Sequence, residues 1–265
     1  MKDLLVFVRA GHKSLHREWA YDRARVDVLV SSYVDGLQDP SVFRVVAGGY
    51  NKYSHFKDLV EDGSIVLSNY RYYFLVDDDI DIKWPLEDLA DAMIQGPLDV
   101  AQPSLTWGSY HTFPFLLTNP LCSSREVGFV EVMCPVFSRE AMARVLPTFA
   151  LSKSTWGIDL AYCAQAKIAG LRLTVIDSLA VSHCKEINLT GGAWYAKLKA
   201  DGVNPEGELT RIQAQYGELQ KRTVDFSPKY FGLGLLAKLF ERAKARLRRE
   251  LSSRGCLPPV RRLPS

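Results

Sequence analysis

Short apolar runs alternating with helical segments predict an α/β protein, a mostly parallel, doubly wound sheet with helices on both faces. Four stretches carry that reading. Tyr72 to Ile82, YYFLVDDDIDI, is too short and too apolar for anything but a strand buried on both faces, and it ends in three consecutive aspartates. Leu4 to Val8 and Val26 to Ser32 are two more such runs. Leu171 to Ser182 closes the series and delivers His183.

Between the first two strands, Ser14 to Arg25 reads as a helix or loop, and Phe43 to Ala47 is a third short strand ending in Gly48-Gly49. Tyr53 to Glu61 is helical with Ser54 as its N-cap. The aspartate strand follows, then a helix over Leu86 to Gln95 and a strand over Val100 to Pro103. Ser104 to Ser124 lacks periodicity and is rich in Trp, Tyr, His, Phe and Pro, the composition of a long functional loop. Gly128 to Phe137 reads as a strand and Ser138 starts a helix. Thr155-Trp156-Gly157-Ile158-Asp159 leads into another, closed by Gly170.

With 265 residues, 47% hydrophobic and 24% charged, the chain can bury one sizeable core. The expected organisation is a domain over 1–225, with halves 1–103 and 104–225, and a tail over 226–265. Five scattered cysteines form no CxxC pair, which argues against a disulfide framework or zinc site and for a reducing compartment. The apolar run before Arg9 is too short for a signal-peptide core or a membrane span. Net charge is +3, yet the residues from Lys229 onward carry +8 and the rest −5. In that tail Leu235, Leu236, Leu239, Phe240, Ala243, Leu247 and Leu251 recur at helical spacing opposite Lys238, Arg242, Lys244, Arg246, Arg248 and Arg249. A basic amphipathic helix of this kind suits an anionic membrane surface, here through 229–254, and predicts a cytoplasmic protein peripheral on the inner face of the cytoplasmic membrane. The alternatives are a helix docked on the core or an RNA-binding arm. An acidic body without a nucleic-acid motif argues against nucleic acid.

In open α/β sheets ligands bind beyond the carboxyl ends of the strands. Asp77, Asp78 and Asp79 stand there. Three adjacent carboxylates repel unless a cation neutralises them, and hard oxygens suit magnesium, manganese or calcium. The alternative is that they cap the segment starting near Trp84-Pro85.

The order of motifs resembles glycosyltransferases of the GT-A fold: an apolar strand into a DxD-like motif, a tryptophan-glycine-x-aspartate at a helix start, and a histidine after the last strand. The blocks VAQPS, FVEVMCPVFSREA, WGIDLAYCAQA and VIDSLAVSH, spanning Tyr70 to Cys184, are similar to the plant and bacterial family catalogued as a domain of unknown function numbered 707. The resemblance implies a nucleotide-diphosphate sugar donor and a Mn2+ or Mg2+ ion held by Asp77, Asp79 and His183. The three-aspartate motif leaves open which carboxylate binds metal and which binds ribose. A metal there is Lewis acid and template.

If the reaction inverts the anomeric carbon, a base must take the acceptor proton, and Asp159 at a helix N-terminus is the candidate; the alternative is plain capping. Glu131, an acid in an apolar strand, either points into the site as a second catalytic residue or pairs with an arginine such as Arg125. For the donor nucleotide, Arg9, Ala10, Asp35, Asp77 and Asp78 face the crevice, and Gly49 with Lys52 approaches the diphosphate unless the glycines only make a turn. Trp107, His111, Trp156 and Gly157 are acceptor-side candidates, the histidine alternatively structural. The function expected is a metal-dependent glycosyltransferase, leaning inverting, acting on a glycan or lipid-linked acceptor in lipopolysaccharide or capsule synthesis. The competing readings are a metal-dependent phosphatase or phosphotransferase, whose motif fails at Asp81 and Lys83, and a non-catalytic glycan- or membrane-binding protein.

Overall fold

The computed structural model describes residues 1–187, 191–217, 228–230 and 243. In chain order the elements are β1 (Lys2–Ala10), β2 (Val26–Ser32), β3 (Arg44–Ala47), α1 (Lys52–Glu61), β4 (Tyr70–Asp77), β5 (Ile80–Asp81), α2 (Leu86–Gln95) and β6 (Val100–Leu105). They continue as β7 (Cys122–Glu126), β8 (Val136–Ser138), α3 (Arg139–Val145), α4 (Ile158–Ile168), β9 (Leu173–His183), α5 (Gly192–Ala200), α6 (Pro205–Tyr216) and β10 (Pro228–Tyr230). The main sheet has the order β10-β7-β9-β6-β8-β4-β1-β2-β3, and β5 pairs with the end of β9. Only β7 and β8 run against the common direction, so the α/β, mostly parallel class holds.

Strand alternation sorts the core into two layers. Leu5 and Phe7 of β1 pack with Tyr53 and Phe56 of α1 and with the buried faces of α3, α4 and α6. Leu4, Val6 and Val8 point the other way, onto Trp19 and Leu86, Leu89, Ala90 and Met93 of α2. Phe74, Leu75 and Val76 of β4 are completely buried, which stabilises the sheet by about 1.5–3 kcal/mol per large side chain.

Three local expectations change. The N-cap of α1 is Asn51, whose side chain accepts from the Ser54 N–H, while Ser54 sits at N3 and completes a capping box. The strand expected over Gly128 to Phe137 survives only as β8, because Pro135 has no N–H to return to β4, although Leu75 N–H still donates to Pro135 O and Asp77 N–H to Met133 O in the same register. The boundary at 103 does not divide the sheet, since β8 from the second half lies between β4 and β6 of the first. Pro228–Tyr230, assigned to the tail, adds β10 to β7. The basic helix expected over 235–251 lies, but for residue 243, outside the described residues. Among the described residues no helix is long and apolar enough to cross a membrane.

Candidate active site

The switch point of the sheet lies between β1 and β4, where connections leave in opposite directions. There the three aspartates turn to three different partners. Asp77, 37% exposed at its side chain, accepts from the Lys52 ammonium at 2.8 Å. Asp78 accepts from the Gly11 N–H at 3.2 Å and from the Tyr33 hydroxyl at 2.8 Å. Asp79 faces His183, Oδ1 to Nε2 at 3.5 Å, with Lys185 Nζ 3.8 Å from Oδ2.

The short antiparallel pair β5·β9 makes that last encounter. Ile80 pairs with His183 and Asp81 with Ser182, and the Cys184 N–H donates to Asp79 O at 3.1 Å. His183 Nδ1 lies 2.9 Å from the carbonyl of Tyr110. A carbonyl only accepts, so Nδ1 carries the proton and a neutral ring offers its Nε2 lone pair toward Asp79. Burial disfavours the His183 cation, but Asp79 outweighs it and raises the pKa. Burial would likewise raise Asp79, yet His183 and Lys185 hold it below the ordinary range.

Asp79 Oδ1 is buried without a hydrogen bond. At 3.5 Å the imidazole is too far to supply one. A carboxylate oxygen and an imidazole nitrogen so spaced suit a shared divalent cation. Among the described residues no trio of His, Cys, Asp and Glu is gathered as a full ligand set. Two protein ligands are the donor number of an ion that keeps water and substrate phosphates around it, as magnesium does.

Lys52 does not reach toward a diphosphate. Its ammonium is 5% exposed and donates to the carbonyls of Leu75, Val132 and Met133 at 3.2, 2.7 and 3.1 Å as well as to Asp77. Pro135 has no N–H to give the Leu75 carbonyl across the pair, and the buried cation supplies that hydrogen bond. Glu131, on that segment, is 3% exposed; its N–H donates to the Gln102 side chain at 2.7 Å and its Oε1 has no partner. Burial first, and then the charge of Asp159, push its pKa up to about 8. The pairing with Arg125 does not occur: Arg125 binds Asp177 at 2.8 Å, both side chains fully buried. Asp159 opens α4, where its Oδ1 accepts from the Leu160 N–H at 3.0 Å, and burial brings it to about 7.

On the nucleotide side Arg9 donates to Ser31 Oγ, Gly48 O and Gly49 O, clamping the turn after β3. Gly49 is required there, because φ is +69° and a Cβ would stand 2.2 Å from His55. The glycine pair therefore serves the packing of its own turn. Ala10 is buried at the end of β1, and Asp35 is exposed in the turn after β2. Tyr33, unflagged by the sequence reading, lies against Gly11 and is 52% exposed. A tyrosine just past a strand end is the signal that could have found it.

On the acceptor side Trp107 is 49% exposed and donates to Thr118 O at 3.2 Å. His111 Nδ1 is 2.8 Å from Ser109 O. Tyr110, between them in the loop, pins His183 through its carbonyl. Trp156 donates to the Tyr195 hydroxyl at 3.0 Å, so its indole edge faces α5. Gly157 is approached by Leu209 and Ile212 of α6, 3.2–3.3 Å from where a Cβ would be, and not by an open cleft. Helices α5 and α6 were missed, although Asn204-Pro205 is a cap followed by proline at N1.

The family described as "Protein of unknown function (DUF707)" matches residues 116–224, less than half of the 265-residue chain. No curated protein matches the chain in sequence. Among solved structures, the crystal structure of GalNAc-T7 with UDP, GalNAc and Mn2+ is similar with a TM-score of 0.53 at 10% identity. The likeness covers 81% of this chain and 48% of that one, so the chain spans about half of GalNAc-T7. A197 from STIV is similar at a TM-score of 0.43 and 14% identity over 70% of this chain and 87% of that one. The chain resembles the DUF707 family over its second half, and its fold resembles that of the GT-A glycosyltransferases.

Proposed function

We propose that the protein is a metal-dependent glycosyltransferase that moves a sugar from a nucleotide-diphosphate donor to a glycan or lipid-linked glycan. The observation that carries this is the Asp79–His183 pair at the switch point, with an orphaned carboxylate oxygen directed at an imidazole nitrogen across 3.5 Å. The fold likeness to GalNAc-T7, crystallised with UDP, GalNAc and Mn2+, supports it.

Asp79 and His183, with Asp77 beside them, would hold Mn2+ or Mg2+. The ion would offset charge on the leaving diphosphate. The chain's own groups do the rest. Asp78, Gly11 and Tyr33 line the β1 and β2 ends where a ribose and base would lie. Asp159, poised near neutrality by burial, takes the acceptor proton as the sugar inverts, the matching of pKa to working pH that general-base catalysis requires. Glu131, neutral below about 8, offers a hydroxyl hydrogen bond to a substrate oxygen. The proposed setting is lipopolysaccharide or capsule synthesis at the cytoplasmic membrane face, with the basic segment 229–254 as the attachment.

The test is thermal unfolding with nucleoside diphosphates and nucleotide sugars, each with manganese and with chelator. At 100 times its dissociation constant a ligand of the folded state adds about 2.7 kcal/mol. The expected result is a manganese-dependent stabilisation by one nucleoside diphosphate that Asp79→Asn abolishes. Equal stabilisation of Asp79→Asn would overturn the metal assignment.

A further inference from the structure

The turn that presents Asp159 is strained and held from outside. Thr155 has φ +71° and Gly157 φ +80°. A β-branched residue in that region costs on the order of 1–3 kcal/mol and persists only where its surroundings over-determine it.

The surroundings are visible residue by residue. The Glu208 carboxylate on α6 accepts four hydrogen bonds from the preceding segment. They come from Ser152 Oγ at 2.9 Å, the Lys153 N–H at 2.9 Å, the Ser154 N–H at 2.9 Å and Ser154 Oγ at 2.6 Å. Ser154 Oγ in turn accepts from the Trp156 N–H at 3.2 Å, so the contact continues to three residues before Asp159. From the other side the Asn51 amide donates to Ser152 O at 3.1 Å and Lys153 O at 3.0 Å, and Arg211 donates to Leu151 O. Leu209 and Ile212, the neighbours of Glu208 on α6, close over Gly157.

Capping alone does not account for this. Glu208 lies in the first turn of α6, where a carboxylate is favoured, but the N-cap bond of that helix is supplied by Asn204. All four bonds of Glu208 go to a segment more than fifty residues earlier.

We infer that Glu208 is a positioning residue for Asp159, fixing the Ser152–Gly157 turn so that the half-buried carboxylate at the start of α4 keeps its place in the site. The inference rests on the reading of Asp159 as the base. Loss of the Glu208 charge loosens the turn, water reaches Asp159, and its titration falls toward the ordinary carboxylate value. The groups that face Asp159 across the core, Glu131, Tyr53, Tyr162 and Cys163, are unchanged by the substitution.

The experiment is a carbon-13 carboxyl NMR titration of Asp159 in the full chain, for wild type, Glu208→Gln and Ser154→Ala, alongside turnover of a nucleotide sugar with manganese. Ser154→Ala keeps the two N–H bonds to Glu208 and supplies the measurement if Glu208→Gln does not fold. The expected result is a midpoint lowered by about one pH unit. It is accompanied by kcat lowered roughly tenfold with donor KM unchanged. An unmoved midpoint in the folded variants overturns the inference, whatever the activity. A moved midpoint with no turnover in the wild type upholds the positioning and sinks the transferase reading instead.

Discussion

Glu131 is the residue at which burial and chemistry pull hardest against each other. With Oε1 unpartnered and burial raising its pKa to about 8, it is neutral in the folded protein where the unfolded chain would be ionised. A raised carboxyl pKa contributes stability fully present below the unfolded value of about 4.3 and lost as pH climbs through the folded value. Stability should therefore decline between roughly pH 4.3 and 8. In Glu131→Gln this decline shrinks, by on the order of 5 kcal/mol between pH 4 and pH 9, measured by denaturant unfolding. The same slope in both proteins would mean that Glu131 is ionised in the native state. Asp77, Asp79 and His183 stood out as candidates because carboxylates at a strand end and a histidine closing a strand have few other uses, and Asp159 because it opens a helix after Trp156-Gly157. The role of Lys52 was not legible. The sequence reading sets it at the diphosphate, and only the carbonyls of Leu75, Val132 and Met133 meeting around its ammonium show why its charge is spent inside.

At the scale of elements, the loop from Thr106 to Leu121 depends on one buried ion pair. Arg125 of β7 donates to Phe115 O and, at 2.8 Å, to Leu117 O, while Asp177 of β9 accepts from Arg125 and from the Asn119 N–H at 2.8 Å. Both side chains are inaccessible to solvent. Removing one partner breaks a pair buried on both sides, so Asp177→Ala should cost about 3–5 kcal/mol in chemical unfolding. A loss below about 1 kcal/mol would show the pair to be no better than an exposed one. The long strands and α2 were legible because periodicity and apolar runs state them directly. The pair was not, since two residues separated by β8, α3 and α4 meet only through the antiparallel register of β7 on β9. β8 is shorter than its apolar sequence suggests because Pro135 cannot donate to the ladder.

The whole molecule divides electrically, −5 before Lys229 and +8 from there to the end. Each basic residue near an anionic leaflet contributes about 1 kcal/mol, so the proposed attachment is cumulative and salt-sensitive. Because β10 belongs to the sheet, the informative truncation starts after Tyr230. Deleting 231–265 should leave nucleotide-dependent stabilisation intact and lower cosedimentation with phosphatidylserine vesicles several-fold. Unchanged vesicle binding would remove the tail from the membrane reading.

The place of β8 also constrains how the protein is made. It is synthesised after β4 and β6 yet must enter between them. While the ribosome is still translating the residues before Val136, both neighbours present unpaired backbone along hydrophobic edges, and such edges recruit strands from other chains. The nascent protein therefore passes through an interval, set by elongation speed, in which β4 is an open edge and β6, whose strand partners β8 and β9 both come later, is not yet joined to the sheet. Slow decoding between Leu105 and Val136 prolongs that interval, and a holdase that shields strand edges shortens its effect.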